Sequence, residues 1–213
     1  MSAEGRVVLL AGATSDAGMA VARALMDAGA QVIATGRSAE RLELLTEAGA
    51  RVEVADATSP TEMTALAARL EAVDGVISLV GGWRGGGGLA GQSDADLAAL
   101  LPALEAVRAT SRAFDALLQA SDAGRFAIVS STAVARPLAG GANYAAVKAA
   151  SEAWARAVAH GFAKTARDAG EQLRAASVIF RAKALEPESL ARAVVSLWDA
   201  VASDLNDHVI DLA

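Results

Sequence analysis

The chain has no cysteine, which excludes disulfides, thiolate-bound metals and a cysteine nucleophile together. Its two histidines, His160 and His208, lie far apart with no second ligand at metal spacing, so no metal site is expected. No apolar run approaches the ~20 residues of a membrane span; even Val73 to Gly82 is punctuated by Asp and Gly. The N-terminus, Met-Ser-Ala-Glu-Gly-Arg, lacks a basic segment followed by a long apolar one, and the chain is read as cytoplasmic. Lysine and arginine never cluster beyond a pair, and the net charge is −6. A surface that tracks phosphates is therefore not expected, nor is nucleic acid as a partner.

What remains is a chain of 213 residues, 54% hydrophobic, enough to bury a substantial core in one domain spanning residues 1–213. Apolar, β-branched runs alternate with stretches of helical periodicity. Strands are expected at Arg6–Ala11, Gln31–Thr35, Arg51–Ala55, Gly75–Val80, Arg125–Ser131, Leu173–Phe180 and His208–Leu212. Between them, helices are expected at Ala17–Ala28, Ser38–Ala48, Pro60–Glu71, Ala95–Ala120, Asn143–Lys164 and Pro187–Ala202. The third opens on Ser-Pro-Thr-Glu, an N-cap followed by proline at the first helical position. Near-continuously apolar strands separated by helices imply a mostly parallel, seven-stranded sheet covered on both faces, a doubly wound Rossmann-type α/β fold. The run Gly81-Gly82-Trp83-Arg84-Gly85-Gly86-Gly87-Gly88 directly follows a strand and reads as a loop rather than a linker.

Two places carry chemistry. Strand one runs into Ala11-Gly12-Ala13-Thr14-Ser15-Asp16-Ala17-Gly18 and then a helix, which sets small residues and backbone amides where a pyrophosphate can meet a helix N-terminus. Further on, Tyr144 precedes Lys148 by four residues in an Ala-rich run of good helix propensity, so both side chains share one helix face. A phenol can exchange a proton with substrate, and an ammonium held within a few Å favours its ionised form. Ser131, thirteen residues before Tyr144, ends a strand and is the candidate for positioning substrate.

In this order the features resemble the short-chain dehydrogenase/reductase family, over nearly the whole chain. The span from Gly12 to Gly18 is similar to that family's T-G-x-x-x-G-x-G turn, Val129-Ser130-Ser131 to its strand five, and Gly141-Ala142-Asn143-Tyr144-Ala145-Ala146-Val147-Lys148-Ala149 to its Y-x-x-x-K region. The resemblance implies NAD(P)-dependent hydride transfer between nicotinamide and a carbonyl or alcohol, with Ser131, Tyr144 and Lys148 catalytic. It implies cofactor contacts from Gly12, Thr14, Ser15, Ala17, Gly18, Asp56, Ala57, Gly81 and Lys148. Thr35-Gly36-Arg37-Ser38 after strand two carries no acid for a ribose 2′-hydroxyl, and Arg37 would pair with a 2′-phosphate, so NADP(H) is expected over NAD(H). A homodimer or homotetramer through the two long Ala-rich helices is also implied.

The pattern has gaps. The middle glycine of the turn is Asp16, whose carboxylate would either face the pyrophosphate or cap the helix. The family's N-N-A-G appears as Ser78-Leu79-Val80-Gly81, the helix-four asparagine falls near Pro102-Ala103, and the Pro-Gly after strand six falls at Phe180-Arg181. Few residues follow before Pro187, so the usual substrate-binding insertion is almost absent and an open, shallow site is expected. Val80-Gly81-Gly82-Trp83-Arg84-Gly85-Gly86 resembles the loop of the dihydropteridine reductase branch, which would set Trp83 and Arg84 against a planar, quinonoid substrate. That branch lacks the serine kept here as Ser131. A third reading is a nucleotide-binding or scaffold protein without catalysis, motivated by Asp16 and the lost asparagines.

Overall fold

The computed structural model describes residues 3–212. Seven strands form one sheet: β1 (Val7–Ala11), β2 (Gln31–Gly36), β3 (Arg51–Val54), β4 (Gly75–Ser78), β5 (Arg125–Ser131), β6 (Ala176–Ala182) and β7 (His208–Asp211). Their order is β3-β2-β1-β4-β5-β6-β7, and every neighbouring pair is parallel, so the sheet is parallel throughout rather than mostly so. The helices are α1 (Asp16–Asp27), α2 (Ala39–Glu47), α3 (Pro60–Ala67), α4 (Asp94–Leu100), α5 (Pro102–Ala120), α6 (Ala142–Ala169), α7 (Pro187–Val195) and α8 (Ala202–Leu205).

Parallel strands must bury both faces, and the period-2 alternation along each strand divides its side chains between two cores. Val8, Leu10 and Ile77 pack with Leu25 of α1, Leu42 and Leu45 of α2, and Leu190 and Val194 of α7. Leu9, Ile33, Val76, Phe126 and Ile128 pack on the other face with Met63 and Leu66 of α3, Phe114 and Leu118 of α5, and Phe162 of α6. The expected doubly wound arrangement is therefore present. The order of strands reverses between β1 and β4, which opens a crevice at their C-terminal ends. Among the described residues no helix is long and apolar enough to cross a membrane.

Serines start four of the helices. Ser15, Ser38, Ser59 and Ser93 each accept a hydrogen bond from the backbone amide three residues on, satisfying a donor that the helix itself leaves free. Elsewhere the boundaries depart from the sequence reading. The single helix expected over Ala95–Ala120 is two, α4 and α5, because Pro102 has no N–H for a carbonyl one turn back and restarts the helix as its first residue. Conversely, α6 runs on to Ala169, where Gly170 at φ +68° ends it and the Gly170 and Glu171 amides close on Arg167 and Ala166.

The last expected helix, Pro187–Ala202, stops at Val195 and continues as a 3₁₀ turn over Ser196–Trp198 before α8. The cause is tertiary. Arg125, fully buried at the start of β5, donates through Nε to the Leu197 carbonyl at 2.8 Å and through Nη2 to the Ala200 carbonyl at 2.8 Å. Those carbonyls would otherwise belong to the helix. The Trp198 indole is also fully buried, donating to the Ala123 carbonyl at 3.0 Å.

Candidate active site

The crevice is a cleft of about 1340 Å³, larger than the ~300–1,000 Å³ usual for small-ligand sites. Four pieces of chain build it: the start of α1 (Ser15, Asp16, Ala17), the segment after β4 (Leu79–Trp83), the end of β5 with its following turn (Val129–Ala133), and the start of α6 (Gly141, Tyr144, Lys148). The short link from β6 to α7 closes the remaining side with Ala182–Leu185.

At the α1 end the glycines act through space. A Cβ on Gly18 would lie 2.3 Å from the Ala13 carbonyl oxygen, so only glycine lets the helix begin this close to the strand. Gly12, at φ +85°, turns against Val80, whose Cγ2 would meet a Cβ at 2.9 Å. The cap of α1 is Ser15 Oγ, which accepts from the Gly18 amide at 3.1 Å; Asp16 is not the cap but the exposed first residue of the helix. Its carboxylate complements the helix dipole from there. The Asp16 and Ala17 amides have no partner in the helix and line the cleft, as a bound phosphate requires. The residues present thus fit the pyrophosphate of a dinucleotide.

Ser131, Tyr144 and Lys148 all line the cleft. Ser131 is buried at the end of β5, and its Oγ accepts from the Ala133 amide at 3.2 Å. Tyr144 is half-buried, its ring packed with Leu100, Ala103 and Val147, and its hydroxyl makes no hydrogen bond among the described residues. Lys148 is 7% exposed. Its Nζ lies 5.8 Å from the centre of the Tyr144 ring and donates to the Val129 carbonyl at 2.7 Å, one residue past the last β4–β5 pair. Burial pushes the Lys148 ammonium down to about 8, with Glu152 opposing the shift.

Glu152, which the sequence reading missed, lies one turn beyond Lys148 and is buried. Ser130 Oγ donates to its Oε1 at 2.7 Å, and Arg181 forks onto it, Nε to Oε1 at 2.8 Å and Nη2 to Oε2 at 2.5 Å. Ser130 and Arg181 face each other across β5 and β6, so the carboxylate ties α6 to both strands under Lys148. Burial alone would raise the carboxyl, but the Arg181 fork and the Ser130 hydroxyl hold it below its ordinary 4.5. The i, i+4 spacing from Lys148 was the available signal for Glu152; nothing local marked Arg181.

A group held below its ordinary value stabilises the fold in full above that value and loses the contribution as pH falls through the folded one. Urea unfolding of Glu152→Gln should therefore show a loss of about 2 kcal/mol at pH 7, narrowing as pH falls below 4.5. A loss that stays constant with pH would contradict this account.

The other expected residues are dispersed. Gly81 and Trp83 line the cleft, Trp83 61% exposed, but Arg84 turns its Nη1 back onto the Trp83 carbonyl at 2.9 Å. Arg37 is exposed at the end of β2, outside the cleft, and makes no ion pair among the described residues. Arg41, unremarked in the sequence, lies one helical turn from it and donates to the Thr14 carbonyl at 2.9 Å. Asp56 Oδ1 accepts from the Thr58 amide and hydroxyl at 2.9 and 2.8 Å, the bond of a turn-forming aspartate, and Asp56 and the buried Ala57 lie off the cleft at the end of β3.

A model of the short chain dehydrogenase family matches residues 6–166, three-quarters of the chain and every strand from the glycine turn to the Tyr144 helix. The chain belongs to the short chain dehydrogenase family. Members of this family are oxidoreductases. Its fold is shared with a short chain dehydrogenase/reductase family protein (23% identity, 100% of this chain and 97% of that chain, TM-score 0.84). It is shared too with a gluconate 5-dehydrogenase from Burkholderia cenocepacia J2315 in complex with NADP and tartrate (19% identity, 98% and 94%, TM-score 0.82). A short chain dehydrogenase from Shigella flexneri gives 19% identity, 98% and 91%, and a TM-score of 0.81. No curated protein matches the chain. Against the family pattern, this short chain dehydrogenase carries Arg181 at the position resembling the Pro-Gly glycine, and uses it to hold Glu152.

Proposed function

We propose that this protein transfers hydride between NADP(H) and a carbonyl or alcohol substrate, with Tyr144 as the proton donor and acceptor. The observation that supports this most directly is the convergence of Ser131, Tyr144 and Lys148 on one cleft that also receives the open N-terminus of α1. The Asp16 and Ala17 amides would hold the pyrophosphate, with Gly12, Thr14, Ser15 and Gly18 shaping the turn beneath. Gly81 would border the cofactor, and Asp56 and Ala57 would border its adenine. When bound, the nicotinamide supplies or takes the hydride.

In the reducing direction Ser131 Oγ would hydrogen-bond the substrate carbonyl oxygen, and Tyr144 would give its proton to that oxygen as negative charge grows on it. Lys148 spends one of its three donors on Val129 and keeps two for ribose hydroxyls. Its charge would steady the phenolic oxygen as the proton leaves, so one side chain serves both orientation and electrostatics. The test is binding and turnover together: tryptophan quenching by NADPH, then NADPH oxidation with a panel of carbonyl compounds. Binding without turnover, or neither, would return the non-catalytic scaffold reading.

The preference for NADP(H) is carried by Arg37, with Arg41 one turn away and no carboxylate at the end of β2. A lost charge-assisted contact costs ~1.5–3 kcal/mol, so Arg37→Ala should weaken NADPH binding about 10- to 100-fold. NADH affinity should stay within about twofold, and titration calorimetry with both cofactors checks it; equal losses for the two would overturn the assignment. A second reading, reduction of a planar heteroaromatic or quinonoid substrate, is favoured by the exposed Trp83 face at the cleft. Self-association would use the outer faces of α5 and α6, where Arg108 stacks 5.1 Å over Trp154, and the cytoplasm is the compartment this reading assumes.

A further inference from the structure

The proposed chemistry leaves the grip on the substrate unassigned. Between the end of β6 at Ala182 and the start of α7 at Pro187 only residues 183–186 remain, all exposed, which bridge strand to helix and leave none to fold over the cleft. The opposite wall is built differently. Trp83, 61% exposed, and Leu138, 70% exposed, present apolar surface to the cleft from the segment after β4 and the turn before α6.

That segment is fastened to the start of α6, and the fastening is Gln92. Its Nε2 donates to the carbonyls of Gly86 at 3.0 Å, Gly140 at 3.0 Å and Gly88 at 3.3 Å, while its Oε1 accepts from the Asn143 amide at 3.1 Å. The Asn143 amide is one of those a helix start leaves without an internal acceptor. Gly86 N donates directly to the Gly140 carbonyl at 2.7 Å, and Asn143 Nδ2 reaches the Ser93 carbonyl at 3.0 Å. The approach is so close that a Cβ on Gly85 would lie 2.4 Å from the Gly140 oxygen and 3.0 Å from the Trp83 ring, so Trp83 rests on Gly85. Through these contacts Trp83 is set in register with the residue next to Tyr144.

We infer that Gln92 is the positioning residue of the substrate wall: it holds the 81–92 segment so that Trp83 faces the cleft at a fixed distance from Tyr144, selecting flat, apolar carbonyl compounds. The inference rests on the oxidoreductase reading above. Gln92 does not line the cleft, so its loss should appear in KM and leave kcat nearly unchanged.

The test compares two dicarbonyl compounds that differ in flat area, 9,10-phenanthrenequinone and 2,3-butanedione, with NADPH as reductant. Gln92→Met keeps the side-chain length and removes every hydrogen bond. It should raise KM for phenanthrenequinone about tenfold with kcat within about twofold, and leave KM for butanedione within about twofold. Gln92→Glu, which keeps an acceptor for Asn143 but loses the three donor contacts, should fall between. An unchanged KM for phenanthrenequinone, or an equal rise for both compounds, overturns the inference. If the wild-type protein reduces neither compound nor any of the carbonyl panel above, the oxidoreductase reading fails, and the wall is then read by binding. Phenanthrenequinone should quench emission that Trp83→Phe removes, with an apparent Kd about tenfold weaker in Gln92→Met. An unchanged Kd there overturns the inference by itself.

Discussion

Tyr144→Phe is expected to cut turnover by about 10²- to 10⁴-fold, the usual worth of a positioned general acid. NADPH affinity should stay within about twofold. The substitution is clean because the ring, packed with Leu100, Ala103 and Val147, keeps its contacts, while the hydroxyl breaks no hydrogen bond among the described residues when it goes. Melting temperature should therefore hardly move, and the effect should lie in the chemical step, read as single-turnover NADPH oxidation at saturating substrate. The pH profile carries a second mark of the mechanism. Lys148 is brought to about 8 by burial, so its ammonium is present at neutral pH and discharged as pH rises through that value. Wild-type turnover should fall on that limb. Full activity in Tyr144→Phe would remove Tyr144 from the chemistry, whatever else the cleft does.

The largest stability effect is expected far from the cleft. Arg125→Met should destabilise the protein by about 3–5 kcal/mol, which for a chain of this size lowers the melting temperature by roughly 10 °C. The Arg125 guanidinium is fully buried and faces carbonyls rather than a carboxylate: Leu197, Gly124, Arg174 and Ala200, at 2.8, 2.8, 3.1 and 2.8 Å. Burial pushes it down to about 10, so it remains charged at neutral pH and makes charge-assisted bonds. Methionine fills similar volume but takes the guanidinium donor from all four carbonyls, of which Gly124 keeps the Ala176 amide, and each buried group left unsatisfied costs ~1–3 kcal/mol. Arg125→Lys, with three donors on a point charge, should lose less. Unfolding in urea followed by circular dichroism measures both; a methionine variant as stable as wild type would show that the carbonyls find other donors.

These two residues also mark what was legible in the sequence and what was not. Tyr144, Lys148 and Ser131 could be recognised because their relation is local: two lie on one face of one helix, and the third ends the preceding strand. Strand and helix order was legible for a similar reason, since strands buried on both faces have to be apolar along their length. Arg125 looked like an ordinary charged residue at a strand start. Its partners beyond the neighbouring Gly124 come from two other segments, and the helix it interrupts was drawn too long because periodicity cannot register carbonyls withdrawn by a distant side chain. The strand expected to reach Val80 stops at Ser78 because Leu79 and Val80, apolar enough to continue it, turn out to wall the cleft instead. Glu152 and Gln92 were missed in the same way, their meaning lying in Arg181 on another strand and Gly140 on another turn.

The position of β1 in the middle of the sheet has a consequence for how the chain acquires its shape. β1 pairs with β2 soon after it in sequence but needs β4 for its other edge, and α1 is covered by α7 near the opposite end of the chain. Of these segments β1 and α1 are synthesised first and are among the last to be enclosed. Contacts between such distant segments slow folding, because loop entropy is lost before they form. Synthesis must pass α7 before the apolar face of α1 is shielded, so a chain stalled short of Pro187 would present that face to chaperones and proteases rather than wait as a half-built enzyme.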